Sequence, residues 1–258
     1  MTKTLVHEHL LALGLRATAE RLDDLTAQAL THRWSPVQLL EHVIGLELDE
    51  RARKSRERRL ARSKLGRFKP MADFDWAWPK RLDKKLMEAA LGLDFLTDNR
   101  NVVIVAPQGL GKTMLAQNIG YQAAVAGHVV RFVTAAELLL DLGAQDSARG
   151  LERRLRYWSG IKLLIIDELR YLSYDTRNAD LLFQVVSRRY ERRSLVLTTN
   201  LSFKEWPTIF PNAACTTALI DRIVHHADII VLEGDSYRRR EAEETRSARR
   251  SSARGERG

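Results

Sequence analysis

The chain has 258 residues, 45% of them apolar and 29% charged, which is enough to bury one α/β core and a small accessory domain. A formal net charge of +9 gives a surface field that attracts polyanions, nucleic acid before all others. No apolar run approaches the roughly 20 residues that cross a bilayer, the start MTKTLVHEHLL lacks the apolar stretch of a signal peptide, and a lone Cys215, read as a small packing residue, excludes an internal disulfide and a cysteine-built metal cluster.

Taken in chain order, Leu15, Ala19, Leu22, Leu25 and Ala29, then Val37, Leu40, Ile44 and Leu48, recur at spacings of three and four and predict an apolar stripe on each of two helices. Ser35 before Pro36 reads as an N-cap with proline at the first helical position. From Arg51 the composition changes to RARKSRERRLARSKLGRFK, the densest charge in the chain. Like charges at three- and four-residue spacings cost a helix stability unless an anion offsets them, and phosphates are the natural offset. Arg51, Arg53, Lys54, Arg56, Arg58, Arg59, Arg62 and Lys64 are therefore the predicted DNA-binding residues, ahead of the blander reading as a solvated helix face. Residues 1–68 form a predicted all-α N-terminal domain, and residues 69–98 a linker with an aromatic segment (Phe74, Trp76, Trp78) and a helix. Trp76, Trp78, Trp158 and Trp206 are read mainly as core or interface anchors rather than base-stacking platforms.

Residues 99–237 alternate apolar β-rich runs with helical patterns: VVIVA at 102–106, VVRFV at 129–133, LLIID at 163–167, SLVLTT at 194–199 and DIIVL at 228–232. Continuous apolar runs indicate strands covered on both faces, so the expected fold class is α/β, a parallel sheet sandwiched by helices. The tail 238–258 is rich in Arg, Ser and Glu and is expected to stay disordered beyond its first turn.

The run Ala106-Pro107-Gln108-Gly109-Leu110-Gly111-Lys112-Thr113 leaves a buried strand and opens a helix at Met114, the context that a phosphate-binding loop requires. Gly109 and Gly111 let backbone N–H groups wind around phosphates, Lys112 reaches the β- and γ-phosphates, and the Thr113 hydroxyl ligates Mg²⁺. Ala106 stands where the pattern has its first glycine, a substitution most backbone conformations tolerate. A Rossmann reading fails because Met114 occupies the place of the last small residue. In LLIIDEL, Asp167 ends a strand where it would hold the Mg²⁺, and Glu168 would polarise the attacking water. SLVLTTN sets Asn200 at another strand end, within reach of that water and the γ-phosphate. This order of pieces is characteristic of AAA+ P-loop ATPases and implies ATP and Mg²⁺ as cofactors. Arg222, on a helix after that strand, acquires a role only through a family assignment. His225 and His226 have no further Cys or His at ligand spacing and are read as packing or interface residues.

The segments VIVAPQGLGKTMLAQNIGYQA, LLIIDELRYLSYD, LLFQVVSRRYERRSLVLTTNLSFKEW and LIDRIVHHADIIVLEGDSYRRR resemble the IstB-type helper ATPases of insertion sequences, relatives of the helicase loader DnaC. The resemblance implies an AAA+ core, ATP hydrolysis, assembly on double-stranded DNA as a homo-oligomer with ATP between subunits, and partnership with a cognate transposase in the cytoplasm, with no membrane involved. Within it Arg222 looks like an arginine finger reaching a neighbour's ATP, and Arg238 like a sensor of phosphate in the same subunit. Arg170 departs from the glycine usual after Asp-Glu-Leu. Two other functions remain compatible with the sequence, a helicase loader and a DNA-coating scaffold that binds ATP with negligible hydrolysis.

Overall fold

The computed structural model describes residues 3–169, 175–210, 213–237 and 239–240. Arg170, Arg238 and the tail from residue 241 lie outside them. The chain divides into two compact units, one ending at Arg58 and the other beginning at Arg59.

The first unit begins with α1 (Lys3–Ala12), α2 (Arg16–Glu20) and α3 (Leu22–Thr31) and continues into α4 (Pro36–Ser63), inside which the division falls. Ser35 and Gln38 cap α4 reciprocally: Ser35 Oγ accepts from Gln38 N at 3.3 Å, and Ser35 N donates to Gln38 Oε1 at 2.8 Å. Ala17, Ala19 and Leu25 make its small core, where the buried Glu47 accepts from Thr18 N at 2.8 Å. The stripe expected to face inward on α4 does not: Val37, Leu40, Ile44 and Leu48 are each more than half exposed. The short helices α1 to α3, of 10, 5 and 10 residues, bury too little surface to cover the stripe of α4.

The second unit carries α5 (Lys84–Gly92), β1 (Asn101–Val105), α6 (Lys112–Val125), β2 (Val130–Thr134), α7 (Ala135–Gly143), α8 (Ala148–Gly160), β3 (Leu163–Leu169), α9 (Thr176–Arg189), β4 (Ser194–Thr199), α10 (Ala213–Val224) and β5 (Ala227–Val231). All five strands pair in parallel in the order β2-β3-β4-β1-β5. Alternate residues feed two apolar layers. Val103, Leu164, Ile166, Leu195 and Leu197 pack with α7 to α10, whereas Val102, Ile104, Leu163, Ile165 and Val196 pack with α5 and α6. Burial of each such side chain contributes about 1.5–3 kcal/mol, which is why two-faced apolar runs become central strands. Arg189 ends α9 fully buried, donating to Trp158 O at 2.9 Å, Ile161 O at 2.8 Å and Ser194 O, and so ties the end of α8 to the start of β4.

The sheet order places β4 between β1 and β3, so the loops leaving these three strands meet at one edge. In parallel sheets that carboxyl edge is where ligands bind.

Candidate functional site

Gly109 and Gly111 have φ of +82° and +87°, the left-handed region that a side chain resists, and Gly111 caps the N-terminus of α6. A Cβ on Gly109 would also stand 2.1 Å from Ser236 Oγ, so this loop is packed against the segment after β5 as well as curled on itself. Ala106 is buried, has no positive φ, and donates its N–H to Thr199 O at 3.1 Å. Alanine in place of glycine therefore adds no backbone strain here. Lys112 Nζ lies back along the loop, donating to Ala106 O at 2.6 Å and Pro107 O at 2.8 Å.

Thr113 Oγ1 donates to Asp167, 2.9 Å from Oδ2 and 3.2 Å from Oδ1, while Thr198 Oγ1 donates to Oδ1 at 2.5 Å. Burial pushes the Asp167 carboxyl up from its ordinary range, and the two hydroxyls pull it back. One residue further, β3 shifts register against β4 between Ile166 and Leu169. The shift makes a bulge whose residue Glu168 has φ +59°, donates its N–H to Thr198 Oγ1 at 3.0 Å and is exposed at the cavity. In an unbroken strand buried on both faces, the next side chain after Asp167 would enter the opposite apolar layer, so the bulge re-aims the acid.

A cavity of about 290 Å³ lies beside these groups, lined by Gln108 to Met114 of the loop and by Glu168, Thr199 and Asn200. Asn200 Oδ1 is buried and has no hydrogen-bond partner among the described residues, so it is left to be satisfied by a ligand or water. The rest of the lining was not found from the sequence, and it includes Lys69, Phe74, Asp75, Trp78 and Tyr237. Trp78 meets Tyr237 edge to face at 6.1 Å and donates Nε1–H to Asp235 O at 2.9 Å, while Tyr237 N donates to Gly109 O at 3.0 Å. A phosphate-binding loop and an aromatic pair, Trp78 and Tyr237, line the same cavity, a combination that matches the two ends of a nucleotide. The donor set also fits a hard cation, because a hydroxyl and a buried carboxylate converge at its place beside the loop.

Arg222 does not line this cavity; it lies on α10 with its guanidinium 4.6 Å from the centre of the Phe183 ring. Arg51 to Arg62 of the predicted DNA-binding set fall in α4, with Lys64 just beyond. Several are engaged locally: Arg53 pairs with Glu50 and Glu57, Lys54 pairs with Glu50, and Arg59 Nε donates to Ala124 O at 2.9 Å. Arg51, Arg56, Arg58 and Arg62 are exposed, and among the described residues none forms an ion pair.

The family model described as "IstB-like ATP binding protein" matches residues 8–245. A protein of insertion sequence IS5376 from Geobacillus stearothermophilus is 36% identical over 239 residues, covering 93% of this chain and 95% of its own. One of insertion sequence IS232 from Bacillus thuringiensis is 35% identical, covering 88% and 90%. The names of both refer to ATP binding. Among solved structures, DnaI matches with a TM-score of 0.54 at 17% identity, over 67% of this chain and 92% of its own. The replication initiator DnaA, bound to AMPPCP and single-stranded DNA, matches with a TM-score of 0.54 at 17% identity, over 64% and 50%. At such identities the likeness is one of fold, the AAA+ P-loop sandwich.

Proposed function

Because the chain belongs to the IstB-like family of insertion-sequence ATP-binding proteins, we propose that it is an ATP-hydrolysing helper of transposition, which assembles on double-stranded DNA and there recruits or activates its cognate transposase. The observation that carries the hydrolytic part is the bulge at Glu168, which turns an acid into the cavity one residue after the Asp167 carboxylate. Binding alone needs no such acid.

In this reading the loop N–H groups and Lys112 hold the triphosphate, and Trp78 with Tyr237 flanks the base. Thr113 and Asp167 would hold Mg²⁺, which would supply charge neutralisation at the phosphates. Glu168 accepts the proton of the attacking water, and the unsatisfied Asn200 amide orients that water. Arg222, which does not line its own chain's cavity, serves a neighbouring subunit in this reading, as the family resemblance implies; such a residue contributes about 10³ to 10⁵ in rate. The basic run of α4 supplies phosphate contacts, consistent with the net charge of +9.

Imaging the protein by negative-stain electron microscopy with ATP and duplex DNA tests the assembly. Regular particles on DNA that need ATP are expected. Monomers under all conditions would refute it.

A further inference from the structure

Glu191, in the turn between α9 and β4, and His225 and His226, in the turn between α10 and β5, bring one ligand atom each to within 4.8 Å of one another. The sequence hides this trio, because the two histidines are adjacent while the carboxylate comes from another loop. The geometry points to a binding site for a borderline divalent cation of the Zn²⁺ class, held by His225, His226 and Glu191, apart from the nucleotide cavity.

Three relations support it. First, Tyr190 Oη lies 2.6 Å from His225 Nδ1. With Nδ1–H donating to that hydroxyl, the lone pair is on Nε2 and the ring is fixed, which is how the second nitrogen of a metal-bound histidine is usually held. Second, His226 Nε2 and Glu191 Oε1 are 3.6 Å apart. That is long for a hydrogen bond but close to the spacing of about 3.3 Å between two ligands at 2.0–2.1 Å from a tetrahedral ion. Third, the two imidazoles are immediate neighbours, with ring centres 4.0 Å apart, so a small rotation of either ring brings both to one ion.

The backbones of the two histidines and of Tyr190, next to Glu191, are already pinned. Asn101 N donates to His226 O at 2.8 Å, His225 N to Asp221 O at 2.9 Å, and Tyr190 N to Val186 O at 2.9 Å. Two imidazoles and one carboxylate select Zn²⁺ and its neighbours over Mg²⁺ or Ca²⁺, which take oxygen ligands. All three residues are exposed, so the remaining coordination position opens to water or to a ligand from another molecule. A bound ion would fasten the end of α10, one turn after Arg222, to the turn that follows α9.

The test uses the untagged full chain without nucleotide, titrated with Zn²⁺ and, for its visible spectrum, Co²⁺. One ion per chain is expected, with a rise in Tm. Glu191→Gln and His226→Gln should each weaken Zn²⁺ binding at least tenfold, Tyr190→Phe by a few-fold, with ATP affinity unchanged as the control for folding. Glu191 is exposed, so Glu191→Gln reports even where a histidine substitution perturbs the turn. Absence of saturable binding, or an unchanged Zn²⁺ affinity in folded Glu191→Gln, would overturn the assignment.

Discussion

Thr113 Oγ1 reaches both oxygens of Asp167, at 2.9 and 3.2 Å, so the first turn of α6 and the end of β3 are joined at the place where a cation would sit. This pairing has a consequence for pH. The folded pKa of Asp167 is raised above its unfolded value, chiefly by burial. The folded state therefore binds more protons between the two values: the contribution to stability is full below the unfolded pKa and is lost as pH rises through the folded one. Without Mg²⁺ and nucleotide, the Tm of Asp167→Asn should gain on that of the native chain as pH climbs through the carboxylate range, and added Mg²⁺ should stabilise the native chain alone. Thermal scans at several pH values check this. A constant difference between the two proteins would contradict it.

Trp78 carries a prediction that the sequence did not offer. Truncating it in Trp78→Ala removes an aromatic face from the cavity and should weaken ATP binding about tenfold, which corresponds to the upper end, ~1.5 kcal/mol, of what an aromatic contact contributes. Trp78→Phe should lose less, since it keeps a ring and gives up only the hydrogen bond to Asp235 O. Titration with a fluorescent ATP analogue separates them. Equal affinity in Trp78→Ala and the native chain would remove the base from this wall.

Much of the fold was legible because its strands are covered on both faces. Runs such as LLIID and SLVLTT carry no charged residue before their last position and are buried on both faces, so they announce β3 and β4 within two residues. The phosphate loop was legible because its glycines are needed for local reasons, at φ of +82° and +87°. What the sequence withheld depends on pairing between distant segments. The bulge at Glu168 exists only relative to β4, the Trp78–Tyr237 contact closes a loop across the whole second unit, and Glu191 meets His225 and His226 only once α9 and α10 are docked. Local periodicity also failed on α4, whose apolar stripe is real in sequence but exposed in the structure.

The basic stretch of α4 gives a salt dependence. Arg59 is excluded from the test because its Nε–H is bound to Ala124 O, so its loss would damage packing as well as charge. Replacing Arg51, Arg56, Arg58 and Arg62 with Gln should lower the slope of log K against log salt by up to about 3.6, at about 0.9 per phosphate contact. ATP affinity should stay unchanged. An unaltered slope in duplex-binding titrations would move the DNA contact off α4.

For Arg222, mixing is more informative than deletion. Arg222→Ala and Glu168→Gln proteins should each be inactive alone, and turnover should partly return when they are combined, because some interfaces then hold one native Glu168 and one native Arg222. Phe183, under the guanidinium at 4.6 Å, should act through positioning, so Phe183→Leu is expected to lower turnover without changing ATP affinity. A mixture as inactive as its parents, with co-assembly demonstrated, would refute a role across subunits.

ATP turnover and ATP affinity, measured together for the native chain, Lys112→Ala and Glu168→Gln, test hydrolysis by this cavity most directly. The native chain should hydrolyse ATP; Lys112→Ala should bind it weakly. Glu168→Gln, which keeps the side-chain shape at the bulge and loses the base, should bind ATP with native affinity and turn over at least a hundredfold more slowly, within the 10² to 10⁴ that a general base typically contributes. Native turnover in folded Glu168→Gln, or no turnover in the native chain with DNA present, would contradict the account.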